Sequence, residues 1–509
     1  MSETVVHFLK NSVSRYPCSE AVIYNDQRVS YLQLWNMICS VADYLHTKGL
    51  ERGDRVGLLV ENSPEYIAAY YGVLAAGGVA VGLNTSAKAA DLTNWLRHCG
   101  ARYLFSSLKH PELDDIAKTC SDDMSIVGIG EPGKQAVSAF DLWHEILNNK
   151  ATEPRLAEIT DVVMPAAIIY TSGTTGSPKG VTLSHSNLAS NTQSIIEYLG
   201  LTHKDSIVSV LPFYYSFGNS IMHTHLAVGG KLVLESNFMY PHKTLEKMVD
   251  EKVTGFSGVP STYALLLGRT KLKEYDFSKL RYMAQAGGAM PPASIKRFLE
   301  EVPEVDFYVM YGQTEGTARL SYLPPEKLIN KIGSIGKAIP GVTLEIRDEN
   351  DKLCRPGVTG EICAKGDSVM IGYWNAPDAT GKVIKDGWLR TGDLAHYDED
   401  GYLYIDGRDS DMIKTGAHRI SPKEIEEVIA RLVEVEEVAV VGVPDELLGQ
   451  VIKATIVPTI EGALEKKSVQ AHCRKNLAIY KVPKIIEFTN DLPRTASGKV
   501  KRFLLQDNN

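Results

Sequence analysis

The chain has 509 residues, of which 62 are acidic and 54 are basic, so its formal net charge is −8. No segment carries a dominant basic stripe, and a nucleic-acid partner is therefore not indicated. The apolar fraction of 44% and the charged fraction of 23% are ordinary for a globular protein, and the length allows more than one hydrophobic core.

The seven cysteines are scattered along the chain and are never spaced as Cys-x-x-Cys. This pattern argues against a disulfide framework and against a zinc site, and it favours a reducing compartment. The first residues, MSETVVHFLKNSV, predict a short amphipathic helix and lack the basic-then-apolar layout of a signal peptide. The protein is therefore predicted to be cytoplasmic.

One early segment has the length of a membrane-spanning helix. Residues 66–83 carry no charge, which is near the threshold of about 18 apolar residues for a span. The segment is rich in Ala, Gly and Tyr, however, and Gly77-Gly78 interrupts it. In front of it, Asn62-Ser63-Pro64-Glu65 resembles a helix N-cap with Pro in the first turn. We predict a buried helix, a glycine turn and a short inner strand at 79–83, with no membrane span.

Apolar strand-like runs alternate with helical patterns up to about residue 330, which predicts α/β layering with largely parallel sheets. The predicted strands of this region are 55–60, 103–106, 124–129, 166–171, 206–211, 231–235, 255–259 and 307–310. Short strands punctuated by glycine follow at 343–347, 360–364 and 402–405, and they predict a smaller β-rich subdomain.

A candidate domain boundary lies at 406–410. Beyond it, Ser421-Pro422-Lys423-Glu424 predicts a helix that begins with a capping box and has Pro at its first position. Two strands at 438–443 and 452–458 and a helix from about residue 468 would complete a small α+β module.

The stretch YTSGTTGSPKG, residues 170–180, combines glycines with hydroxyl side chains and a lysine directly after a predicted strand. Its spacing does not fit the phosphate-loop pattern G-x-x-x-x-G-K-[ST]. Glycines nevertheless let backbone N–H groups approach phosphate oxygens closely, and Lys179 adds a positive charge. So many donors between a strand and a helix predict a phosphate-binding loop and not a merely flexible one.

A second glycine pattern lies upstream, where Gly128-Ile129-Gly130-Glu131-Pro132-Gly133 matches the G-x-G-x-x-G of dinucleotide-binding folds. Such a fold would continue into a helix and place an acidic ribose partner about 20 residues further on. Here Glu131 would put a negative charge beside the pyrophosphate, and the match stands alone. A nicotinamide dehydrogenase is therefore disfavoured.

Three further segments carry side chains suited to nucleotide chemistry. YGQTE, residues 311–315, follows a predicted strand at the edge where parallel sheets bind ligands, and Glu315 is a candidate ligand for Mg²⁺. WLRTGD, residues 388–393, offers Asp393 as an acceptor for two ribose hydroxyls, although an isolated aspartate of this kind is more often a turn residue. LPRTASGK, residues 492–499, ends in a lysine that alone would indicate a solvated basic tail.

Taken together and in this order, YTSGTTGSPKG, YGQTEG, TGD, GRDSDMIK and PRTASGK resemble the superfamily of adenylate-forming enzymes, which includes acyl-CoA synthetases, amino-acid adenylation domains and beetle luciferase. The resemblance extends from about residue 25 to about residue 505. It implies an α/β fold in which a large N-terminal domain, 1–406, has layered and mostly parallel sheets with helices and a small β-rich subdomain. A hinge at 407–410 and a small, mobile α+β C-terminal domain at 411–509 would follow.

The resemblance also implies a reaction. Enzymes of this superfamily attach a carboxylate to the α-phosphate of ATP, release pyrophosphate and form an acyl-adenylate, which a thiol then attacks. ATP and Mg²⁺ are the implied cofactors, and a small carboxylic acid is the implied substrate. The implied acyl acceptor is CoA or the phosphopantetheine of a carrier protein acting in trans.

The roles of the superfamily's residues carry over to the matching positions of this chain. Lys499 would stabilise the charge that develops between the carboxylate and the α-phosphate, Thr314 would contact that phosphate, and Glu315 would bind Mg²⁺. The other implied nucleotide contacts are Thr171, Ser172, Gly173, Thr174, Thr175, Gly176 and Lys179 for the β- and γ-phosphates; Gly287, Gly288, Ala289 and Tyr311 for the adenine; Asp393 and Arg408 for the ribose; and, without a more specific role, Gly312 and Lys414.

The acyl pocket of the superfamily matches PFYYSFGNS, residues 212–220. The implied pocket residues are Tyr214, Tyr215, Ser216, Phe217 and Ser220. Amino-acid-activating relatives usually place an aspartate near position 216, where it pairs with the α-ammonium group. Ser216 would leave a buried ammonium uncompensated, which favours an acid without an α-amino group. A free-standing ligase for proline-like amino acids stays open as an alternative.

Two further hypotheses keep the fold and change the function. An inactive adenylate-binding relative is disfavoured because the nucleotide residues are all present, and an oxidase of the luciferase type would need an oxidisable acyl substrate. Two departures from the superfamily pattern concern the thioester half of the reaction. Ser410 stands at the pivot, where Asp or Lys is usual, and Ala417 replaces a glycine that lines the approach of the pantetheine thiol.

Overall fold

The computed structural model describes residues 3–120, 124–131, 140–148, 156–157, 161–171, 179–235, 238–408, 411–415, 418–445, 449–460, 462, 464–494 and 500–506, with the backbone alone at 414, 418, 419 and 449. Several predicted residues therefore lie outside the described residues: Ser172, Gly173, Thr174, Thr175, Gly176, Ser410, Ala417 and Lys499. The side chain of Lys414 lies outside them as well.

Helices and strands alternate through the first part of the chain, as the sequence predicted. The helices are α1 (Val5–Arg15), α2 (Tyr31–Thr47), α3 (Pro64–Ala75), α4 (Ala89–Cys99), α5 (Leu113–Cys120) and α6 (Trp143–Asn148). The strands are β1 (Glu20–Tyr24), β2 (Gln27–Ser30), β3 (Arg55–Leu59), β4 (Val79–Gly82), β5 (Ala101–Ser107), β6 (Ser125–Ile129), β7 (Asp141–Leu142), β8 (Pro165–Thr171) and β9 (Lys179–Ser184).

The alternation continues to residue 338. The helices are α7 (His185–Leu199), α8 (Ser216–Val228), α9 (Pro241–Asp250), α10 (Pro260–Arg269), α11 (Pro292–Glu301) and α12 (Pro325–Leu328). The strands are β10 (Ser206–Ser209), β11 (Lys231–Leu234), β12 (Gly255–Gly258), β13 (Tyr282–Gln285), β14 (Asp306–Tyr311), β15 (Ser321–Leu323) and β16 (Lys337–Ala338).

The last part of the chain is richer in strands. These are β17 (Val342–Arg347), β18 (Gly360–Gly366), β19 (Gly372–Tyr373), β20 (Ile384–Lys385), β21 (Trp388–Tyr397), β22 (Leu403–Arg408), β23 (Ile413–Thr415), β24 (His418–Ile420), β25 (Val435–Asp445), β26 (Gly449–Pro458) and β27 (Ile485–Phe488). The helices are α13 (Pro377–Val383), α14 (Pro422–Ile429) and α15 (Lys466–Asn476).

Two sheets dominate the larger part of the molecule. One has the order β19-β9-β8-β4-β3-β5-β6-β7, and the other has the order β16-β15-β14-β13-β12-β10-β11-β1-β2. The inner strands pair in parallel, whereas antiparallel pairs lie towards the edges. Strand β4 is buried along its whole length, as expected where helices cover both faces of a parallel sheet. The predicted parallel α/β layering is confirmed.

Two smaller sheets follow. Strands β17, β18, β21, β20 and β22 form an antiparallel sheet, which is the predicted β-rich subdomain. Strands β24, β23, β26 and β25, with β27 parallel to β26, pack with α14 and α15 in the C-terminal module. The large α/β part with a smaller C-terminal domain therefore matches the predicted fold class. The boundaries at 406 and 410 stay predictions.

The uncharged segment at 66–83 forms the predicted buried helix, turn and strand. Helix α3 begins at Pro64 with Ser63 as its N-cap, and β4 follows after a turn in which Gly77 adopts a φ of +85°. A φ in this left-handed region favours glycine. Within the described ranges, no helix is long and apolar enough to cross a membrane.

Two local predictions were wrong. The segment 172–178 connects β8 to β9, which pair antiparallel, so the predicted phosphate loop joins two strands of one sheet and not a strand and a helix. The helix that was expected directly after it begins later, at His185. In the C-terminal module, Pro422 does open α14, but Ser421 Oγ donates to the backbone carbonyl of Asp406 and forms no capping box.

Candidate active site

The predicted adenine residues, Thr314 and Glu315 follow the carboxyl ends of parallel strands. Strands β12, β13 and β14 are parallel neighbours, and they end at Gly258, Gln285 and Tyr311. Since carboxyl ends of parallel strands meet at one sheet edge, the segments that follow them lie together. The other described residues of the predicted nucleotide site belong to other sheets: Thr171 and Lys179 to β8 and β9, and Asp393 and Arg408 to β21 and β22.

Asp393 is the centre of a buried charge cluster. It is 5% exposed, and its Oδ2 accepts a hydrogen bond of 2.7 Å from the Tyr311 hydroxyl. Its Oδ1 accepts one of 2.8 Å from Arg408 Nε, across the antiparallel pair of β21 and β22. Burial and the nearby carboxylate raise the pKa of Tyr311 well above its usual value, so its hydroxyl stays a donor. The predicted pair of Asp393 and Arg408 is thus in contact, and Tyr311 joins it.

Glu315 is held by a residue that the sequence analysis did not name. Its Oε1 accepts a hydrogen bond of 2.8 Å from the Tyr373 hydroxyl. Burial, and then the charge of Glu315, raises the pKa of Tyr373, so the phenol remains protonated. The ammonium of Lys179 lies 5.4 Å from the centre of the same ring. One aromatic ring therefore lies between the predicted metal ligand and the lysine that ends the predicted phosphate loop.

The turn that carries Thr314 and Glu315 is tied to a distant segment. The backbone N–H of Met370 donates to Glu315 O at 2.8 Å, and Thr317 Oγ1 donates to Ser368 O at 2.6 Å. Thr317 has a φ of +66°, which is unfavourable for a β-branched residue. These contacts hold the turn in place, and Asn187, also missed from sequence, binds the same segment through Val369 O at 2.9 Å.

Backbone geometry explains the glycines of the predicted adenine site and Gly312. Gly287 has a φ of +87°, and Gln285 Nε2 donates to Gly288 O at 2.6 Å, which closes the turn that also contains Ala289. At Gly312 a Cβ would lie 2.1 Å from the carbonyl oxygen of Ala318. No side chain fits at that position, so glycine is required by the close approach of two backbone segments.

The predicted acyl residues lie at the start of α8, beside Thr314. Ser216 Oγ is 3.3 Å from Thr314 Oγ1, and Ser220 Oγ donates to Phe217 O at 2.7 Å. The rings of Tyr214 and Tyr215 pack with their centres 4.6 Å apart. We call Ser216, Phe217, Ser220 and the nearby Arg319 the acyl side, and we call Tyr311, Glu315, Tyr373, Asp393 and Arg408 the nucleotide side.

Helix α8 buries histidines that are kept neutral. His223 Nδ1 is 2.7 Å from the Tyr71 hydroxyl, and burial lowers the pKa of His223 to about 3. Burial also lowers the pKa of His225 to about 4. A buried imidazole with such a pKa remains uncharged at neutral pH, so neither ring contributes a positive charge to the acyl side.

Matches to known protein families extend over most of the chain. Residues 9–374 match the family of AMP-binding enzymes, and residues 424–499 match the C-terminal domain of AMP-binding enzymes. The chain belongs to the AMP-binding enzyme family. The resemblance to adenylate-forming enzymes is therefore confirmed.

Similar proteins of known activity indicate the type of AMP-binding enzyme. The chain is 31% identical to a long-chain-fatty-acid–CoA ligase of Bacillus subtilis, and the match covers 99% of this chain and 95% of the relative. It is 32% identical to an indoleacetate–CoA ligase of Aromatoleum aromaticum, with 96% and 94% covered. It is 32% identical to a 2-succinylbenzoate–CoA ligase of Bacillus cereus, with 99% and 98% covered. These similarities confirm the predicted enzyme class, an AMP-forming acid–thiol ligase, and the relatives with a named acceptor are CoA ligases.

Solved structures agree with this class. An anthranilate–CoA ligase bound to anthranoyl-AMP superposes with a TM-score of 0.90 at 27% identity, over 99% of this chain and 96% of the other. An o-succinylbenzoate CoA synthetase from Bacillus subtilis, bound to its acyl-adenylate, superposes with a TM-score of 0.87 at 28% identity, over 99% and 98%. The same synthetase has been solved with ATP and a magnesium ion. The ligands of these proteins are those predicted for this chain.

Proposed function

We propose that the protein activates a small carboxylic acid without an α-amino group, using ATP and Mg²⁺, and transfers the acyl group to CoA. The observation that carries this proposal is the geometry of the nucleotide side. Asp393 on β21, paired with Arg408, accepts a hydrogen bond from Tyr311, the last residue of β14, and the turn with Thr314 and Glu315 follows β14 directly. A carboxylate acceptor for ribose beside a hydroxyl and a metal-binding carboxylate is what binding of an adenylate requires.

The donor set at Glu315 fits Mg²⁺. This ion keeps several waters and takes phosphate oxygens, so it needs few protein ligands. In the part of the chain that the structure describes, no three His, Cys, Asp or Glu side chains form a metal-binding group. The single carboxylate of Glu315, oriented by Tyr373, meets the smaller requirement. Mg²⁺ held there would neutralise phosphate charge.

The chain's own residues would act on the first half-reaction through position and charge. An oxygen of the substrate carboxylate forms a bond to the α-phosphorus, and the bond from that phosphorus to the bridging oxygen of pyrophosphate breaks. Thr314 would donate to the α-phosphate, and Lys499 would stabilise the negative charge that gathers there. Lys179 and the loop at 171–176 would bind the departing pyrophosphate.

The acid is proposed to lack an α-amino group because the start of α8 offers no anionic partner for one. Ser216 Oγ meets Thr314 Oγ1 at 3.3 Å and is an uncharged hydroxyl. An ammonium buried there would lose its hydration without gaining an ion pair. The CoA ligases with which the chain shares about a third of its residues support CoA over a carrier protein as the acceptor.

In the proposed division into 1–406, 407–410 and 411–509, two side-chain hydrogen bonds join the C-terminal domain to the end of the large domain. Lys423 Nζ of α14 donates to Ile405 O at 2.7 Å, and Ser421 Oγ donates to Asp406 O. Hydrogen bonds of this kind each contribute about 1 kcal/mol. The C-terminal module can therefore exchange them at small cost when it turns between the two half-reactions, with Ser410 as the proposed pivot.

The test is pyrophosphate exchange with the full-length protein across fatty, aryl, short-chain and amino acids, followed by mass analysis with CoA and with holo-carrier proteins. We expect exchange with at least one acid that lacks an α-amino group and an acyl-CoA product. Exchange with proline-like amino acids alone would favour an adenylation enzyme that loads a carrier protein. Absence of exchange with every acid would favour an inactive relative, and light emission or oxygen uptake would favour an oxidase.

A further inference from the structure

The acyl side contains a buried arginine. Arg319 lies between the YGQTEG turn and β15 and is 3% exposed. Its guanidinium carbon is 3.9 Å from the centre of the Phe217 ring, its Nη1 donates to Ala318 O at 3.2 Å, and its Nε contacts Met310 Sδ at 3.5 Å. Burial lowers the pKa of Arg319, yet a guanidinium remains charged in proteins. A full positive charge is thus buried among neutral groups.

Other buried charges in this molecule have partners of opposite charge. Asp205 pairs with Arg281 at 2.9 Å, and Lys453 pairs with Glu487 at 2.9 Å. Among the residues that the structure describes, by contrast, no Asp or Glu forms an ion pair with Arg319. Since a buried and unpaired charge is costly, the charge of Arg319 is available to a ligand that brings an anion.

Arg319 also lines an internal cavity. The other polar side chains around this cavity are Ser220, Thr224, His225, Ser257 and Tyr282. The cavity is about the size of one water molecule. The rest of its lining is apolar: Ile195, Leu199, Ile207, Ile221 and Met310. The charge of Arg319 suits the anionic end of a ligand, and the small volume leaves no room for a long alkyl chain.

The cavity lies further along α8 than Ser216, the residue that contacts Thr314 at the proposed site of adenylation. Ser216, Ser220 and Thr224 are spaced by four residues on α8 and therefore share one face of the helix. Ser216 is next to Thr314, while Ser220 and Thr224 line the cavity, about 6 and 12 Å further along the helix axis. A ligand whose one end reaches Thr314 would direct its other end towards Arg319.

We propose that Arg319 binds a second carboxylate of the acid substrate, at the end remote from the carboxylate that is adenylated. This inference rests on the proposed function and names its substrate class, the dicarboxylic acids. The pair formed with Arg319 would compensate the buried charge. Ser220 Oγ and Thr224 Oγ1 already donate to the carbonyls of Phe217 and Ile221, so the guanidinium would be the main donor to the second carboxylate. The same charge disfavours an acid with an ammonium group, which agrees with the absence of an aspartate at position 216.

The wild-type protein tests this directly. Pyrophosphate exchange and acyl-CoA formation are measured with the dicarboxylic acids from succinic to suberic acid, each against the monocarboxylic acid of equal length, and with hexadecanoic acid. We expect kcat/KM for the best diacid to exceed that for its matched monoacid by at least about 100-fold, because a site built for a polar group strongly rejects analogues that lack it. Hexadecanoic acid should be the poorest substrate.

Variants at Arg319 then test whether this residue causes the preference for dicarboxylic acids. Arg319→Met should lower the ratio of diacid to monoacid activity by about 100-fold, mainly through a higher KM for the diacid, whereas Arg319→Lys should retain part of it. Arg297→Met is the matched control, since Arg297 also donates to a backbone carbonyl but lies on α11, away from the acyl side. Calorimetric binding of ATP with Mg²⁺ shows whether each variant retains an intact nucleotide side.

The outcomes separate the two proposals. If monocarboxylic acids are activated better than dicarboxylic acids at every length, or if Arg319→Met binds ATP normally and keeps the wild-type ratio, the second-carboxylate site is wrong and the proposed ligase function stands. If no acid of either kind supports exchange, the proposed function fails and this inference fails with it. If Arg319→Met does not bind ATP, the proposal is judged by the ratio of diacid to monoacid activity in the wild-type protein alone.

Discussion

Asp393 and Arg319 are both buried and charged, yet their surroundings differ. Asp393 accepts hydrogen bonds from Tyr311 and Arg408, so its charge is balanced within the protein. Arg319 faces the Phe217 ring and the Met310 sulfur, which are neutral. The charge of Asp393 on the nucleotide side is therefore balanced by protein groups, whereas the acyl side leaves a charge for the ligand to balance.

This difference matches what each side has to recognise. Every reaction of an AMP-forming ligase uses the same nucleotide, so a preformed nucleotide side serves all of them at no further cost. The acid differs from one ligase to another, and a buried charge that needs a partner discriminates strongly between acids. Variants of the nucleotide side should therefore change the response to ATP equally for all acids, and variants of the acyl side should change the choice of acid.

The largest effect is expected for Lys499, the proposed catalytic lysine. Lys499→Ala should lower the rate of adenylation by about 1,000-fold, since it would remove the charge proposed to stabilise the transition state. Formation of the thioester from supplied acyl-adenylate should be retained. The two half-reactions are measured separately by pyrophosphate exchange and by acyl-CoA formation, with Lys501→Ala as the matched control. Equal losses in both half-reactions would show that the assignment is wrong.

A smaller effect is expected on the nucleotide side. Asp393→Ala removes the acceptor of the hydrogen bonds from Tyr311 and Arg408 and should raise the KM for ATP by about 100-fold, by the same factor for every acid. The KM is obtained from exchange rates at varied ATP with two different acids. Asp351→Ala, which removes a half-exposed carboxylate of the same subdomain, is the control and should leave the KM unchanged. A change in acid preference in Asp393→Ala would contradict the separation of the two sides.

The buried histidines make the acyl side sensitive to acid. The folded-state pKa of His223 is about 3, against 6.5 when unfolded, so below pH 6.5 the unfolded chain binds a proton that the folded chain does not. The free energy of unfolding therefore falls as the pH is lowered from 6.5 towards 3, by up to about 1.4 kcal/mol per pH unit for this residue. His223→Asn should reduce that slope by this amount, measured by urea unfolding between pH 6.5 and 5. Substitution of the exposed His242, in His242→Asn, should leave the slope unchanged. Equal slopes in wild type and His223→Asn would show that His223 is not the buried neutral group responsible.

The smallest effect is expected at Tyr373. Tyr373→Phe removes the hydroxyl that donates to Glu315 and should raise the Mg²⁺ concentration needed for half-maximal exchange by about fivefold. Magnesium titration at saturating ATP measures it. Tyr404→Phe removes another hydroxyl that donates to a carboxylate, Asp398, outside the site, and it should leave the titration unchanged. An unaltered magnesium requirement in Tyr373→Phe would mean that Glu315 does not depend on Tyr373.

The alternation of apolar runs predicted the parallel sheets, and the position of Tyr311 and Glu315 directly after a predicted strand marked them as candidate site residues. Asp393 and Arg408 lie within β21 and β22, and the family resemblance, not the local pattern, paired them. The sequence pattern missed Tyr373, which lies 58 residues from Glu315, since nothing local links the two positions. The sequence pattern also predicted a helix directly after the phosphate loop. Strand β9 is short and α7 begins immediately after it, at His185, so the strand was not recognised. Antiparallel pairing with β8 is a contact that periodicity does not encode.

Arg319 had a local signal that was overlooked. It interrupts the apolar run between Ala318 and Leu320, next to the turn that carries Thr314. A charge at such a position can be exposed, buried with a partner of opposite charge, or buried where a ligand binds, and the sequence offers no means of deciding among these. The burial of Arg319 and its contact with Phe217 on α8 point to the ligand-binding alternative. Both observations depend on tertiary structure, so the sequence could not supply them.

The ring of Tyr373 has one more consequence, which concerns charge neutralisation. Lys179 and Glu315 carry opposite charges, and a direct ion pair would satisfy both of them. In the structure they meet instead through the two ends of one phenol, the ring towards the ammonium and the hydroxyl towards the carboxylate. Among the described residues, Lys179 and Glu315 form no direct ion pair, because the phenol of Tyr373 contacts both of them. The carboxylate and the ammonium therefore each keep room for a partner of their own, a cation and a phosphate.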